Sequence, residues 1–232
     1  MKKVMTLTLL GVVAATVAKT ALSVEYIDEA AAQAAFDKEM QARQRTQEIM
    51  QKGKTDDTAL KDALVLAFGV SFEQDLNVVF AKELMRAIEI PRERQIRVLE
   101  GMVREGLSAL EKDKAASVRW DTSYDVLPLL ETIPSYDALP IVKECLKSKS
   151  EDIRYNATKT YVNMKGVESI PLLREVIEQE KLTETSRLRL YEHLNRVSIG
   201  LRMENKTNDV EKINAFLKEM KQAEQAKEKG GN

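Results

Sequence analysis

Apolar residues recur at steps of three and four along almost the whole chain, and no stretch alternates with the period of two that marks a half-buried strand. Leu60, Leu64, Val65 and Phe68 form the first clear stripe, opened by Asp57 or Thr58 as a cap and stopped by Gly69. A second helix starts at Ser71 and carries Leu76, Val79, Phe80, Leu84 and Ile88. Pro91 sits in the first turn of a third, where Ile96, Leu99, Val103 and Leu107 or Leu110 line one side. Further helices are predicted over 121–133, with Val126, Leu129 and Leu130 apolar, and over 136–147. The segment 152–164 places Ile153, Ala157, Thr160, Tyr161 and Met164 on one face, and Gly166 follows where a left-handed residue is wanted. Helices over 169–179 and 183–199 come next, the latter striped by Leu190, Leu194 and Val197. At the N-terminal side, 25–52 reads as one long helix with a thin, Ala-rich stripe, broken by Gly53. At the other end, 208–226 carries Val210, Ile213, Phe216, Leu217 and Met220 on one face, and 227–232 is expected to be an unstructured tail.

Two of these segments match column by column. Ala138-Leu-Pro-Ile-Val-Lys-Glu-Cys-Leu146 reads onto Ser169-Ile-Pro-Leu-Leu-Arg-Glu-Val-Ile177 at an offset of 31 residues, and Asp121 and Asp152 stand at the same offset. A period of that size signals stacked helical repeats. Each helix is apolar on one face and too short to stand alone, so antiparallel pairs are expected to stack and bury those faces in one continuous core.

Residues 150–177 resemble a bacterial HEAT repeat. Asp152, Ile153, Arg154, Ala157, Gly166, Pro171 and Leu173 match that family's pattern, and the resemblance covers about 120–200. It departs at Tyr161, where Leu is usual, and at Thr185, which replaces an Arg in the next unit. The resemblance implies an all-α fold, a short right-handed α-solenoid of antiparallel helix pairs. Functionally it implies a protein-binding scaffold, some members of the family acting beside enzymes. The expected organisation is a signal peptide over 1–23, a long helix over 24–54, divergent repeats over 55–118, HEAT-like repeats over 119–200 and a capping helix with its tail over 201–232.

Composition supports the helical reading. Nine Gly and five Pro in 232 residues exclude long flexible linkers, and the abundant Ala, Leu, Glu, Lys, Arg and Gln favour helix. The N-terminus has the layout of an export signal: Met1-Lys2-Lys3, then an apolar run from Val4 to Ala18, then small residues with cleavage expected after Ala18 or Ser23. The run is short for a membrane span, and an uncleaved anchor is the alternative and the one route to the membrane. The chain has 36 basic and 37 acidic residues. Loss of Lys2, Lys3 and Lys19 leaves 33 against 37, a mildly acidic mature protein with no footprint for nucleic acid or anionic lipid. Cys145 is the single cysteine, so no intramolecular disulfide forms; it shares a face with Ala138, Ile141 and Val142 and reads as a small buried hydrophobe.

Candidate chemistry is sparse. His193 is the single histidine, with Arg189, Arg196 and Val197 as helical neighbours, so paired-imidazole metal ligation is excluded and a surface or interface role is expected. No Gly-rich phosphate loop or G-x-S-x-G elbow occurs, and no cofactor is expected. Asn156-Ala-Thr158 and Asn205-Lys-Thr207 fit glycosylation sequons by chance. Trp120 is the sole tryptophan, either a hot spot for a partner or a staple between helix pairs. The functional expectation is an exported, non-enzymatic scaffold that binds another protein on a concave face drawn from the helices at Asp121, Asp152 and Thr183. Its candidate contacts are Arg154, Lys159, Arg187, Arg189 and Trp120. An enzyme or accessory subunit acting on envelope polymers, and a spacer held near the membrane, are the alternatives.

Overall fold

The structure, a computed structural model, describes residues 29–70, 74–114 and 117–230. The expected signal peptide, its cleavage sites and the helix start at Ser71 lie outside the described residues. Every described element is helical, and no strand occurs among the described residues. The chain falls into two bodies, one up to Ala42 and one from Arg43 onward. In the first, Gln33 Nε2 donates to Asp37 Oδ1 at 2.8 Å, one turn on.

The helices are α1 Glu29–Lys52, α2 Asp57–Ala67, α3 Gln74–Ile88 and α4 Arg92–Glu111, followed by a π-turn at Thr122–Val126 that runs into α5 Leu127–Leu130. Then come α6 Leu139–Cys145, α7 Glu151–Lys165, a 3-10 turn Gly166–Ser169, α8 Ile170–Glu178, α9 Glu184–Met203 and α10 Thr207–Gly230. Caps shift several expected starts. Asp56, not Asp57 or Thr58, caps α2, its carboxylate accepting from Thr58 N at 2.8 Å and Ala59 N at 3.3 Å. Ser150, not Asp152, caps α7. Asp121 and Thr183 cap as expected. The 121–133 helix is shorter and irregular because Pro128 has no N–H to return to Tyr124 O; the bonds slip to the wider register, Val126 N reaching Asp121 O at 3.3 Å. The segment 136–147 contracts to α6. In contrast to the tail expected from Lys227, α10 continues to Gly230 in a Lys- and Glu-rich stretch of good helix formers.

The two matched segments hold the same structure. Both α6 and α8 begin one residue before a proline, at Leu139 and Ile170. Ala138, Ile141, Val142 and Cys145 are buried, and so are their counterparts Ser169, Leu172, Leu173 and Val176. Cys145 is fully buried, which pushes its thiol up to about 12 and leaves it a packing group.

Within the second body the helices lie in two layers. In one, α2 packs on α4 and α4 on α6; in the other, α3 packs on the 122–130 segment, that segment on α7, and α7 on α9. Sequence neighbours join the layers, and α10 closes against α9 and the 3-10 turn with Val210, Ile213, Phe216, Leu217 and Met220 buried. One apolar core runs from Met50 to Met220. At Gly106, α4 packs so closely on the 122–126 turn that a β-carbon there would clash with Thr122 Oγ1.

Four helices end alike. After α3, α4, α8 and α9, the residues Glu89, Asp113, Glu180 and Asn205 take φ of 50 to 60°. The next N–H reaches back five residues in each case, for example Ile90 N to Met85 O at 3.0 Å and Lys206 N to Leu201 O at 2.9 Å. This is the left-handed cap that glycine fills without strain, and Glu is a poor substitute. Glu89→Gly is therefore expected to stabilise the fold by about 1 kcal/mol, read as a higher urea midpoint at unchanged slope. A lower midpoint would show that the cap is not strained.

Candidate functional site

The parallel stack of the 122–130 segment, α7 and α9 is locked in register by polar side chains one period apart. At the start of α7, Glu151 Oε1 accepts from Thr183 N at 3.0 Å and from Thr183 Oγ1 at 2.5 Å. Further along, Asn163 Nδ2 donates to Glu131 Oε1 at 2.9 Å, and Asn163 Oδ1 stands 2.6 Å from His193 Nε2. An amide oxygen only accepts, so His193 carries its proton on Nε2. The ladder Glu131–Asn163–His193 thus crosses three successive elements at offsets of 32 and 30 residues.

Both ends of the ladder are electrically perturbed. Burial raises the Glu131 carboxyl above its ordinary value, against the hydrogen bond from Asn163 and the charges of Lys159 and Lys82. Burial, with Lys159 and Arg196 beside it, pushes His193 down to about 4, so the ring is neutral at neutral pH. A carboxyl with a raised folded pKa favours the fold in its protonated form and loses that contribution as pH rises. Glu131→Gln keeps an acceptor for Asn163 and removes the ionisation. Its expected result is higher stability than the parent at pH 7, by a margin that shrinks toward pH 4 in denaturant titrations. A margin that grows on acidification would contradict the assignment.

A shallow cavity of about 300 Å³ opens beside the ladder, lined by residues 131–136 and 163–165. Arg92 braces the loop from behind, donating from Nε to Pro134 O at 3.1 Å and from Nη2 to Ser135 O at 3.0 Å. Tyr136 turns its hydroxyl away to Glu100 Oε1 at 2.5 Å; burial, then Glu100, raises that phenol well above its ordinary range. The cavity presents a single carboxylate, that of Glu131, and an amide. Among the described residues no group of three His, Cys, Asp or Glu stands in metal-binding proximity.

The five residues singled out from sequence separate. Arg154 is not a free surface contact: Nε donates to Lys181 O at 2.6 Å and Nη1 to Ser148 O at 2.6 Å and Lys149 O at 2.9 Å, clipping two loops together. Arg187 is likewise engaged, with Leu182 O at 3.1 Å and Glu224 Oε1 at 3.4 Å, tying α9 to α10. Trp120 is half-buried against the core, with Lys61 Nζ 4.9 Å from its ring and its Nε1 buried beside Gly106, the setting of a staple. Lys159, half-exposed on α7, and Arg189, exposed on α9, remain available on the outer face of the layer.

The same layer also holds the apolar residues that packing leaves out. Val79, Tyr124, Leu188, Ile199 and Met203 are the exposed large hydrophobics, and all five lie on α3, the 122–126 turn or α9. Sequence reasoning put Val79 on a buried stripe and did not mark Leu188 or Ile199; the i, i+4, i+11 spacing of Leu188, Glu192 and Ile199 was the signal that they share a face. Compared with known families, curated proteins and solved structures, the chain matches no family model, no curated protein and no solved structure.

Proposed function

We propose that this chain is an exported, non-enzymatic interaction scaffold, a short right-handed solenoid of helix pairs that binds another protein across the 122–130 segment, α7 and α9. The observation that carries this reading is the gathering of every exposed large hydrophobic, among the described residues, on one of the two helix layers. Aliphatic side chains left half in water on one face, rimmed by charge, are the usual mark of an interaction surface. The opposite layer has a different surface. There Lys61 pairs with Glu105 at 2.5 Å, Arg104 with Glu144 at 3.1 Å, and Asp57 is held by Arg94 and Arg97. The 31-residue match, now seen as α6 and α8 burying equivalent positions, supports the repeat architecture.

Export rests on the N-terminal pattern of residues 1–23. No described helix is long and apolar enough to cross a membrane. N-terminal sequencing of the protein from the envelope fraction is expected to begin at Lys19 or Val24; an intact Met1 in the cytosol would remove the export half of the proposal. Cross-linked co-purification from the same fraction is expected to yield a stable protein partner, and recovery of the chain alone would remove the other half.

A further inference from the structure

Lys82, Lys159, Arg189 and Arg196 are cations of the layer that carries the exposed apolar residues, and none of the four forms an ion pair among the described residues. The registered stack brings them together. Asn163 meets His193, so one turn back on each helix Lys159 lies beside Arg189, and Arg196 follows His193 on the outward side of α9. The surroundings agree: the Tyr155 phenol senses Arg189, Arg196 and Tyr124, and the Glu131 carboxyl senses both Lys159 and Lys82. Glu192 is the exposed carboxylate interleaved with them on α9.

This basic ridge is set on a chain whose net charge is −1. Unpaired cations of one sign, flanked on α9 by Leu188 at 49% and Ile199 at 57% exposure, form a surface with two requirements. It wants anionic groups over Lys159, Arg189 and Arg196, and aliphatic groups over the adjoining strip. A nucleic-acid backbone supplies the first and not the second, and it would meet Glu192 on a chain with no net basic excess.

We infer that the outward ridge of α7 and α9 receives a segment of a partner protein rich in Asp and Glu and interleaved with aliphatic residues. The inference rests on the scaffold reading and specifies its partner. Carboxylates laid along the ridge would steer encounter and fix register, while Leu188 and Ile199 supply the apolar contact.

The test uses the full chain in its producing cells, with a photo-cross-linking amino acid at Leu188 on the ridge or at Lys221 on α10. The expected result is capture at Leu188 of a segment that mass spectrometry shows to be acidic, and no capture at Lys221. With the purified captured partner, the double variant Arg189→Glu, Arg196→Glu is expected to weaken binding at least about tenfold at an unchanged melting temperature. Capture at Lys221 alone keeps a protein-binding role, moves its surface to α10 and overturns the ridge. Capture at neither position overturns the scaffold itself. A neutral or basic segment, or a second copy of this chain, captured at Leu188 overturns the acidic assignment. So does binding to an oligodeoxynucleotide or to phosphatidylglycerol vesicles that the double variant abolishes while no protein is captured.

Discussion

Leu173→Ala is expected to cost about 3 kcal/mol of stability, lowering the melting temperature by roughly 6–12 °C. Leu173 is fully buried on α8, in the column that Val142 occupies on α6. Its truncation removes apolar burial and leaves a cavity that the short α8, held at Pro171 and at Gly166 with φ of 52°, has little freedom to close. The control is Leu188→Ala, a truncation of the same chemistry at a half-exposed site, expected to change stability by less than about 0.5 kcal/mol. Differential scanning calorimetry of the two variants makes the comparison. Equal shifts would mean that the core does not run through α8. A loss at Leu188 alone would place the buried face of this stack on the wrong side.

Acid should loosen the protein well before its carboxylates are exhausted. His193 is pushed down to about 4 from an ordinary value of 6.5, so the fold holds the neutral ring. The unfolded chain takes up the proton first. The contribution is therefore full above pH 6.5 and is lost as pH falls toward 4, at up to about 1.4 kcal/mol per pH unit, and on the order of 2 kcal/mol in all for a half-buried ring. The groups facing it set this sign. Lys159 and Arg196 repel a second proton, and Asn163 Oδ1 is already filled by the Nε2 proton. Glu131, at the far end of the ladder, works in the opposite direction, because its raised carboxyl gains in the fold as it is protonated. His193→Gln retains a donor to Asn163 and removes the titration. Denaturant titrations of this variant are expected to show stability that is flat or rising as pH falls from 6.5 to 4.5, where the parent declines. A parent curve flat over that interval would remove His193 from the account.

The candidate site was only partly legible beforehand. Lys159 and Arg189 were marked from sequence and lie on the exposed layer, whereas Arg154 and Arg187, marked by the same reasoning, are spent on loop carbonyls and on Glu224. A basic residue in the first turn of a helix looks the same in sequence whether it faces water or a neighbouring loop. What distinguishes Arg154 is the return of the chain at Lys181, 27 residues on. The ladder through Glu131, Asn163 and His193 was missed for a related reason. Its members are ordinary polar residues whose one signal is a separation close to the repeat period, and none of them breaks the local pattern.

From residues alone came the helices, the caps at Asp121 and Thr183 and most of the faces they bury, with Ile141 and Leu172, or Val142 and Leu173, assigned to equivalent places. These follow from period, propensity and capping, which act over a few neighbouring residues and so are written locally. Tertiary structure decided which charges are neutralised and which stay free, where Trp120 and Gly106 bring α4 onto the 122–126 turn, and that Leu188 and Ile199 face outward beside Lys159 and Arg196. Those outcomes depend on side chains about 30 residues apart reaching one another across packed helices. Burial and electrostatics act through space, and the order of residues along the chain does not state those distances.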